Sequence, residues 1–516
     1  MTRYLHLLTA VALLAIAAGL LAPAGAQDRV LAFALDTEAF RRPEAEAIAD
    51  NLRTLGAQVE VRVWERTSMI ARMQAGERLA YMTDWGSAFF EPFDLAEPKL
   101  TTGGRGNYSF YSNKEVDDLL VVGSTGADNT ARRDAYFKVQ DIIFREAPWI
   151  FAYFRQDIHG ASSLVENWEA SMDSRINLHD VRLSRGGVIV VGMNTNAIAT
   201  FDPAMFRDRK TETVLRNIFD GLVTRTTKDQ VVLELASAMR QPSPTTYEFT
   251  IRSGVTFHNG DPLTAEDVLF TFERILKDGA IAGASSPRRA LLGPLDRVER
   301  VGENVVRFTL ARPFPAFLQA LVHFQIVPKR YIQTVGDRAF AERPVGAGPF
   351  KYLAGRVDGQ IVLERHEKYH GGSPALPPLG PAPLRGVVFR MMPEPATRVA
   401  ALKAGEVHII EDLPVDLITE IERDPRTEVK ATQGTRVSGV ELNNAKPPFN
   451  DLKVRQALNH AVNWDLILKA IYRGYGTRLA TAFLPSGFGY NPGLRPYTYD
   501  LTRARALLRE AGYTVR

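Results

Sequence analysis

The stretch from Tyr247 to Leu276, YEFTIRSGVTFHNGDPLTAEDVLFTFERIL, decides how the rest of the chain is read. Tyr247, Phe249 and Ile251 alternate with Glu248, Thr250 and Arg252, the period of a strand with one buried face. Ser253-Gly254 can turn the chain. Val255 to Phe257 is expected to return as the second strand of a hairpin, and Asn259-Gly260-Asp261-Pro262 ends the pairing. A helix is expected to follow Thr264, with Asp267 completing a capping box and Val268, Phe272 and Ile275 forming one apolar stripe. Local physics thus gives a hairpin feeding a capped helix, and no chemistry.

Around this stretch lie 516 residues, 45% hydrophobic and 24% charged, enough for two or three domains with sizeable cores. The formal charge is +4 without a long basic run. Pairs such as Arg41-Arg42 and Arg288-Arg289 read as solvated faces, so no nucleic-acid partner is expected. The chain has no cysteine, which excludes a disulfide framework, a thiol nucleophile and a lipidated cleavage site. Residues 1–26 join Arg3, an apolar run from Leu7 to Leu21 and Ala24-Gly25-Ala26, the pattern of a cleaved signal peptide. The run is short for a membrane span, and a periplasmic protein is expected.

In chain order, Arg29 to Leu35 reads as a buried strand, Pro43 to Leu55 as a helix stopped by Gly56, and Val59-Val61-Val63 as another strand. Met69 to Met73 is expected to be helical and Leu79 to Thr83 a strand. Asp84 to Pro98, DWGSAFFEPFDLAEP, is an aromatic, acidic loop. A glycine-rich loop at Gly103 to Asn107, the run YSFYSNKEVDDLL and a helix over Arg132 to Arg145 come next, and IFAYF returns as a strand.

The opening stretch resembles the signature of the family 5 extracellular solute-binding proteins, the dipeptide, oligopeptide and nickel receptors of ABC importers. In that family it lies close to the mature N-terminus, whereas here it lies mid-chain. Residues 29 to about 158 resemble the family's C-terminal run. After Arg185-Gly186-Gly187 come GGVIVVGMNTNAIATFDPAMF, NIFDGLV, PVGAGPF at Pro344 to Phe350, RVAALKAGEVHI from Arg398 to Ile409, PPFNDLKVRQALNHAV from Pro447 to Val462 and YDLTRARALLREAGY from Tyr499 to Tyr513, in the family's own order. Each part occurs once and the order is rotated, as a circular permutation would leave it, with old ends joined through Leu183 to Gly187. A fusion of two neighbouring receptor genes is the rival reading.

The resemblance implies an α/β, two-lobed periplasmic binding protein type II fold with an extra subdomain in the first lobe. Residues 27–158 and 436–516 are assigned to the second lobe and 159–435 to the first. The resemblance also implies capture of a peptide or other small solute between the lobes, delivery to an ABC permease, a monomer, and neither cofactor nor catalytic residue. Large concave sites combine aromatic walls with a few polar groups, which singles out Asp84, Trp85, Phe89, Glu91, Asn107, Tyr108, Phe488 and Tyr490, with Phe201 and Arg436 as further candidates. Where peptide-binding members carry W-x-x-D-x-x-D-P, this chain has Ala88 three positions after Trp85 and keeps only Glu91-Pro92. The ligand is therefore expected either to lack a free α-amine there or to meet Glu91.

One enzymatic motif competes. His366-Glu367-Lys368-Tyr369-His370 is a literal H-E-x-x-H, which on a helix would hold zinc beside a general base. Here Ile361-Val362-Leu363 reads as a strand and Gly371-Gly372-Ser373-Pro374 follows at once, so a surface loop is expected and no metal site. His258 is expected to make a structural hydrogen bond. A non-transporting ligand sensor would share every feature above.

Overall fold

Two long antiparallel strands organise the molecule. A computed structural model describes residues 29–376 and 379–516, so the expected signal peptide lies outside the described residues. Its main sheet has eleven strands: β1 (Ala32–Glu38), β2 (Gln58–Trp64), β3 (Ala80–Gly86), β4 (Trp149–Ser162), β5 (Val188–Met193), β6 (Phe350–Gly355), β7 (Gln360–Arg365), β8 (Gly386–Met391), β9 (Ile409–Ile410), β10 (Thr427–Leu442) and β11 (Gly476–Arg478). Their order is β6-β7-β8-β5-β9-β4-β10-β3-β1-β2, with β11 added to β4.

β4 and β10 belong to two bodies at once. Thr427 to Gln433 of β10 pairs with Gln156 to Ser162 of β4, and Val437 to Glu441 pairs with Trp149 to Phe154; the register shifts between Gln433 and Val437. Below the shift β10 gains β3 as a neighbour, from Arg436 to Leu442, and above it β4 pairs with β9. Gly434 sits in the break, where an added Cβ would stand 2.3 Å from the Arg155 carbonyl oxygen, so only glycine lets the strands approach there.

The buried apolar residues divide at this break. Two large clusters are drawn from residues 31–154 and 437–513, including Trp149, Tyr153 and Trp464. Three others are drawn from 158–421, with Phe89 the exception. The second group includes a separate four-stranded antiparallel sheet, whose order is 236–243, 246–251, 305–310 and 295–300. We call the two bodies the first lobe (158–435) and the second lobe. The helix Leu501–Glu510 lies beside β1: Thr514 N donates to Arg29 O at 2.9 Å and the Arg29 guanidinium stacks 4.3 Å from the Tyr513 ring.

The helix of the opening stretch forms as read. It spans Ala265–Leu276, Thr264 N donates to Asp267 Oδ2 at 2.8 Å, and Val268, Phe272 and Ile275 are buried. The hairpin does not form. Thr246–Ile251 pairs instead with residues 236–243 and 305–310, while Val255 to Phe257 folds back on its own loop through Phe257 N to Asp261 O and Leu263 N to Val255 O. Val255 and Phe257 alternate because both side chains enter the core, a pattern that mimics a strand without a ladder.

The H-E-x-x-H segment also departs in part from expectation. It follows β7 without a helix, and as a surface loop it is only half exposed: Glu367 and Lys368 face solvent, whereas His366 is 5% exposed and Tyr369 6%. Tyr369 Oη and His370 Nε2 both meet Asp220 Oδ2, at 2.9 and 2.6 Å, which draws the segment inward. His366 turns to the Gly348 carbonyl, so the two histidines do not converge. Among the described residues no cluster of three or more metal-ligating side chains occurs. His258 bonds the Gly346 amide and the Gly348 carbonyl, and burial pulls its imidazole down to about 3.

Candidate functional site

In sheets of this kind ligands collect beyond the carboxyl ends of parallel strands. β1, β2 and β3 run parallel and end at Glu38, Trp64 and Gly86, facing the first lobe across the break. On this rim Asp84 meets Arg436 at 3.0 Å, Arg66 meets Glu38 at 3.0 Å, and Arg66 reaches Asp84 at 4.0 Å. Burial alone would raise the Asp84 carboxyl, but Arg436, Arg41 and Arg66 outweigh it and hold the group below its ordinary value. Arg436 also lines a cavity of about 360 Å³ shared by both lobes, with Arg155, Tyr472 and Tyr475 on one side and Asp412 and Val415 on the other.

Beyond β3 the chain enters the loop Ser87 to Asp94, which crosses to the first lobe. Asp94 shapes it: its carboxylate accepts from Ser87 Oγ at 2.7 Å, Ala88 N at 2.6 Å and Phe89 N at 3.1 Å. Burial still pushes this carboxyl up to about 6. The loop seats Phe89 on Phe93 and His323, with ring centroids 5.2 and 5.4 Å apart, inside the first-lobe core.

First-lobe arginines and a histidine grip the loop's carbonyls. Arg209, the first residue of a helix capped by Asp208, donates to Ser87 O at 2.9 Å and Thr435 Oγ1 at 2.8 Å, both at the break, and to Asp173 O and Ser174 Oγ. Arg225 and His323 both meet Ala88 O, at 3.3 and 3.1 Å. Behind them lies an ionic network. Asp173 pairs with Arg175, and Glu212 pairs with His323 at 2.8 Å and Arg175 at 3.5 Å. Burial opposes ionisation of both carboxyls, yet Arg175 and Arg225 around Asp173, and His323 and Arg175 around Glu212, hold them far below the usual range.

The predicted ligand contacts are thus brought together only in part. Asp84 and Arg436 share the rim. Trp85 and Tyr108 stand close, but their faces are taken by the Lys99 ammonium, 4.8 and 4.9 Å from their centroids, which is itself paired with buried Glu441. Asn107 spends its amide on Thr101 O, Tyr111 O, Tyr111 N and Ser109 Oγ, holding its own loop. Phe488 lies under the Arg132 guanidinium at 4.3 Å, and Tyr490 packs on the second-lobe core. Phe201 is 2% exposed in the first-lobe core against Tyr352, away from the rim.

Of the two expectations for a ligand amine, the one that has it meet Glu91 finds that carboxyl already engaged. It is 7% exposed and bound to Arg132 at 2.8 Å; burial nevertheless pushes it up to about 7. Sequence reading missed Arg132, Arg209, Arg225 and Lys99, because an arginine or lysine read alone looks like solvated surface. The only local hint was Asp208 ahead of Arg209, a helix-cap residue that fixes where the guanidinium starts.

Residues 230–516 match the family described as bacterial extracellular solute-binding proteins, family 5 Middle. The chain is 32% identical over 286 residues to heme-binding protein A of Haemophilus influenzae, covering 52% of this chain and 51% of that one. It is 32% identical over 288 residues to the dipeptide-binding protein of Escherichia coli, covering 52% of each. The chain thus spans about half the length of these curated relatives. Among solved structures it is similar to the ABC transporter-associated periplasmic binding protein DppA of Helicobacter pylori in complex with peptide STSA. That match has a TM-score of 0.50 and 30% identity, and covers 64% of this chain and 67% of that one.

Proposed function

Since the chain belongs to the bacterial extracellular solute-binding proteins of family 5, with the two-lobed fold of periplasmic binding proteins of type II, we propose that it captures a small solute between its lobes and hands it to an ABC permease. The observation that carries this reading is the break in β4 and β10. Two separately cored lobes are joined there by two strands, and rim residues from both face one cleft. A ligand closes such a pair only by binding the closed form more tightly than the open one. The matched relatives are named binding proteins for heme and dipeptides.

The reading extends to a periplasmic protein acting as a monomer. The placement of Leu501–Glu510 directly ahead of β1 supports the rotated order of parts. Native mass spectrometry of protein purified from its own periplasm tests the proposal. A retained small molecule, lost on unfolding, is the expected result; protein that retains none and shows no change in small-angle scattering with any di- or tripeptide would overturn it.

A further inference from the structure

We propose, building on the solute-capture reading, that the solute is an anion whose carboxylate is received by Arg209 and Arg225 in place of the carbonyls of Ser87 and Ala88. The seam between loop and first lobe is rich in cations that lack full counter-charges. Arg209 has no Asp or Glu oxygen within 4.0 Å among the described residues; all four of its hydrogen bonds go to neutral oxygens. Arg288, 2% exposed, is in the same position: it lies 3.9 Å from the Phe206 ring, donates to the Phe206 and His323 carbonyls, and keeps an unpartnered Nε. Arg225 is 3% exposed, with Asp229 at 2.7 Å and Asp173, already paired with Arg175, at 4.0 Å.

The acids of the neighbourhood are already committed. Asp173 serves Arg175, and Glu212 serves His323 and Arg175. On the loop, Glu91 serves Arg132 and Asp94 holds Ser87 and two amides. Arg209 and Arg288 are thus left without a carboxyl partner within 4.0 Å among the described residues, and burial pushes the Asp229 carboxyl beside Arg225 up to about 7, so it is only partly charged at neutral pH. Burying a cation against carbonyl dipoles alone is costly, and an anion placed there relieves that cost.

Geometry fits the same ligand. Ser87 O and Ala88 O are adjacent acceptors gripped by Arg209, Arg225 and His323 from one side. A carboxylate set in place of these two carbonyls meets the same donors, in the forked arrangement that matches its two oxygens. A ligand ammonium would meet the same cations and be repelled, and Ala88 offers no acid to offset them.

Calorimetry with Ala-Glu-Ala, Ala-Gln-Ala and Ala-Lys-Ala tests the assignment, because the three differ by one charge at similar size. The wild-type chain is expected to bind the glutamate peptide at least tenfold more tightly than the glutamine one, with the lysine one weakest. Arg209→Gln should bring the first two within threefold, and Arg209→Lys, which keeps the charge and guards against a folding artefact, should retain part of the preference. Equal or tighter binding of the glutamine or lysine peptide, an unchanged preference in Arg209→Gln, or a neutral or cationic solute retained by the native protein would overturn the anion proposal and leave solute capture standing. Failure of all three peptides to bind, with no retained solute, would overturn both.

Discussion

Lys99 and Glu441 give the sharpest test of how the second lobe is built. Both side chains are almost fully buried, 2% and 0% exposed, and the ammonium is ringed by Trp85, Tyr108 and Trp149 at 4.8, 4.9 and 5.6 Å. Lys99→Met removes the cation and leaves a carboxylate without counter-charge in the core. Removing one partner of a buried pair costs about 3 to 5 kcal/mol, and lost contact with three rings adds roughly 1 kcal/mol or more. Lys99→Met with Glu441→Leu removes both charges and fills the space with apolar atoms, a change that is near neutral in comparable cores. The double variant should therefore be more stable than Lys99→Met by about 2 kcal/mol or more. Urea unfolding followed by tryptophan fluorescence measures this, since Trp85 and Trp149 report from the site itself. A Lys99→Met cost under about 1 kcal/mol, or strictly additive variants, would refute the argument that charge burial dominates here.

Other expectations follow from single residues. The carboxyls of Glu91 and Asp229, each pushed up to about 7, and of Asp94, pushed up to about 6, make the folded chain hold protons that the unfolded chain has released. Stability should therefore fall as pH rises from about 5 to 7 and level off above; Glu91→Gln should flatten thermal-melt slopes in that window, and an unchanged slope would contradict the assignment. Gly434→Ala forces a Cβ to 2.3 Å from a backbone oxygen that cannot rotate away, so a loss of about 2 to 3 kcal/mol is expected by denaturant titration, and a neutral result would show that the break is already loose. Asp202→Asn weakens the fork in which Arg274 grips Asp202 at 3.0 and 2.5 Å; the first lobe should melt earlier by calorimetry while the second lobe is unaffected.

Elements with one amphipathic period and a polar cap were legible in the sequence. Thr264 and Asp267 close the expected capping box ahead of the helix Ala265–Leu276. Elements defined by distant partners were less so. IFAYF reads as a five-residue strand, yet β4 continues to Ser162 through Arg155, Gln156 and Asp157, because those polar residues lie where the strand leaves one core and enters the next. The candidate site was legible in its rim, Asp84 and Arg436, and illegible in its cationic seam. Ser87, Arg209 and Thr435 meet through main-chain and hydroxyl oxygens more than a hundred positions apart, and nothing in a local pattern announces a carbonyl as the partner of an arginine.

The division of the cores has a consequence for synthesis on the ribosome. The first lobe is one uninterrupted segment, 158 to 435, whereas the second lobe's core joins residues near Leu31 to residues near Tyr513. Chains emerge from the N-terminal side and domains condense as units. Residues 29–154 must therefore wait, with β1 to β3 lacking their β10 neighbour, until β10 and the helix Leu501–Glu510 arrive. The lobe begun first is completed last. A nascent chain of this protein carries an unfinished sheet edge through most of its translation, and holding that edge apart from others is a task for chaperones rather than for the finished fold.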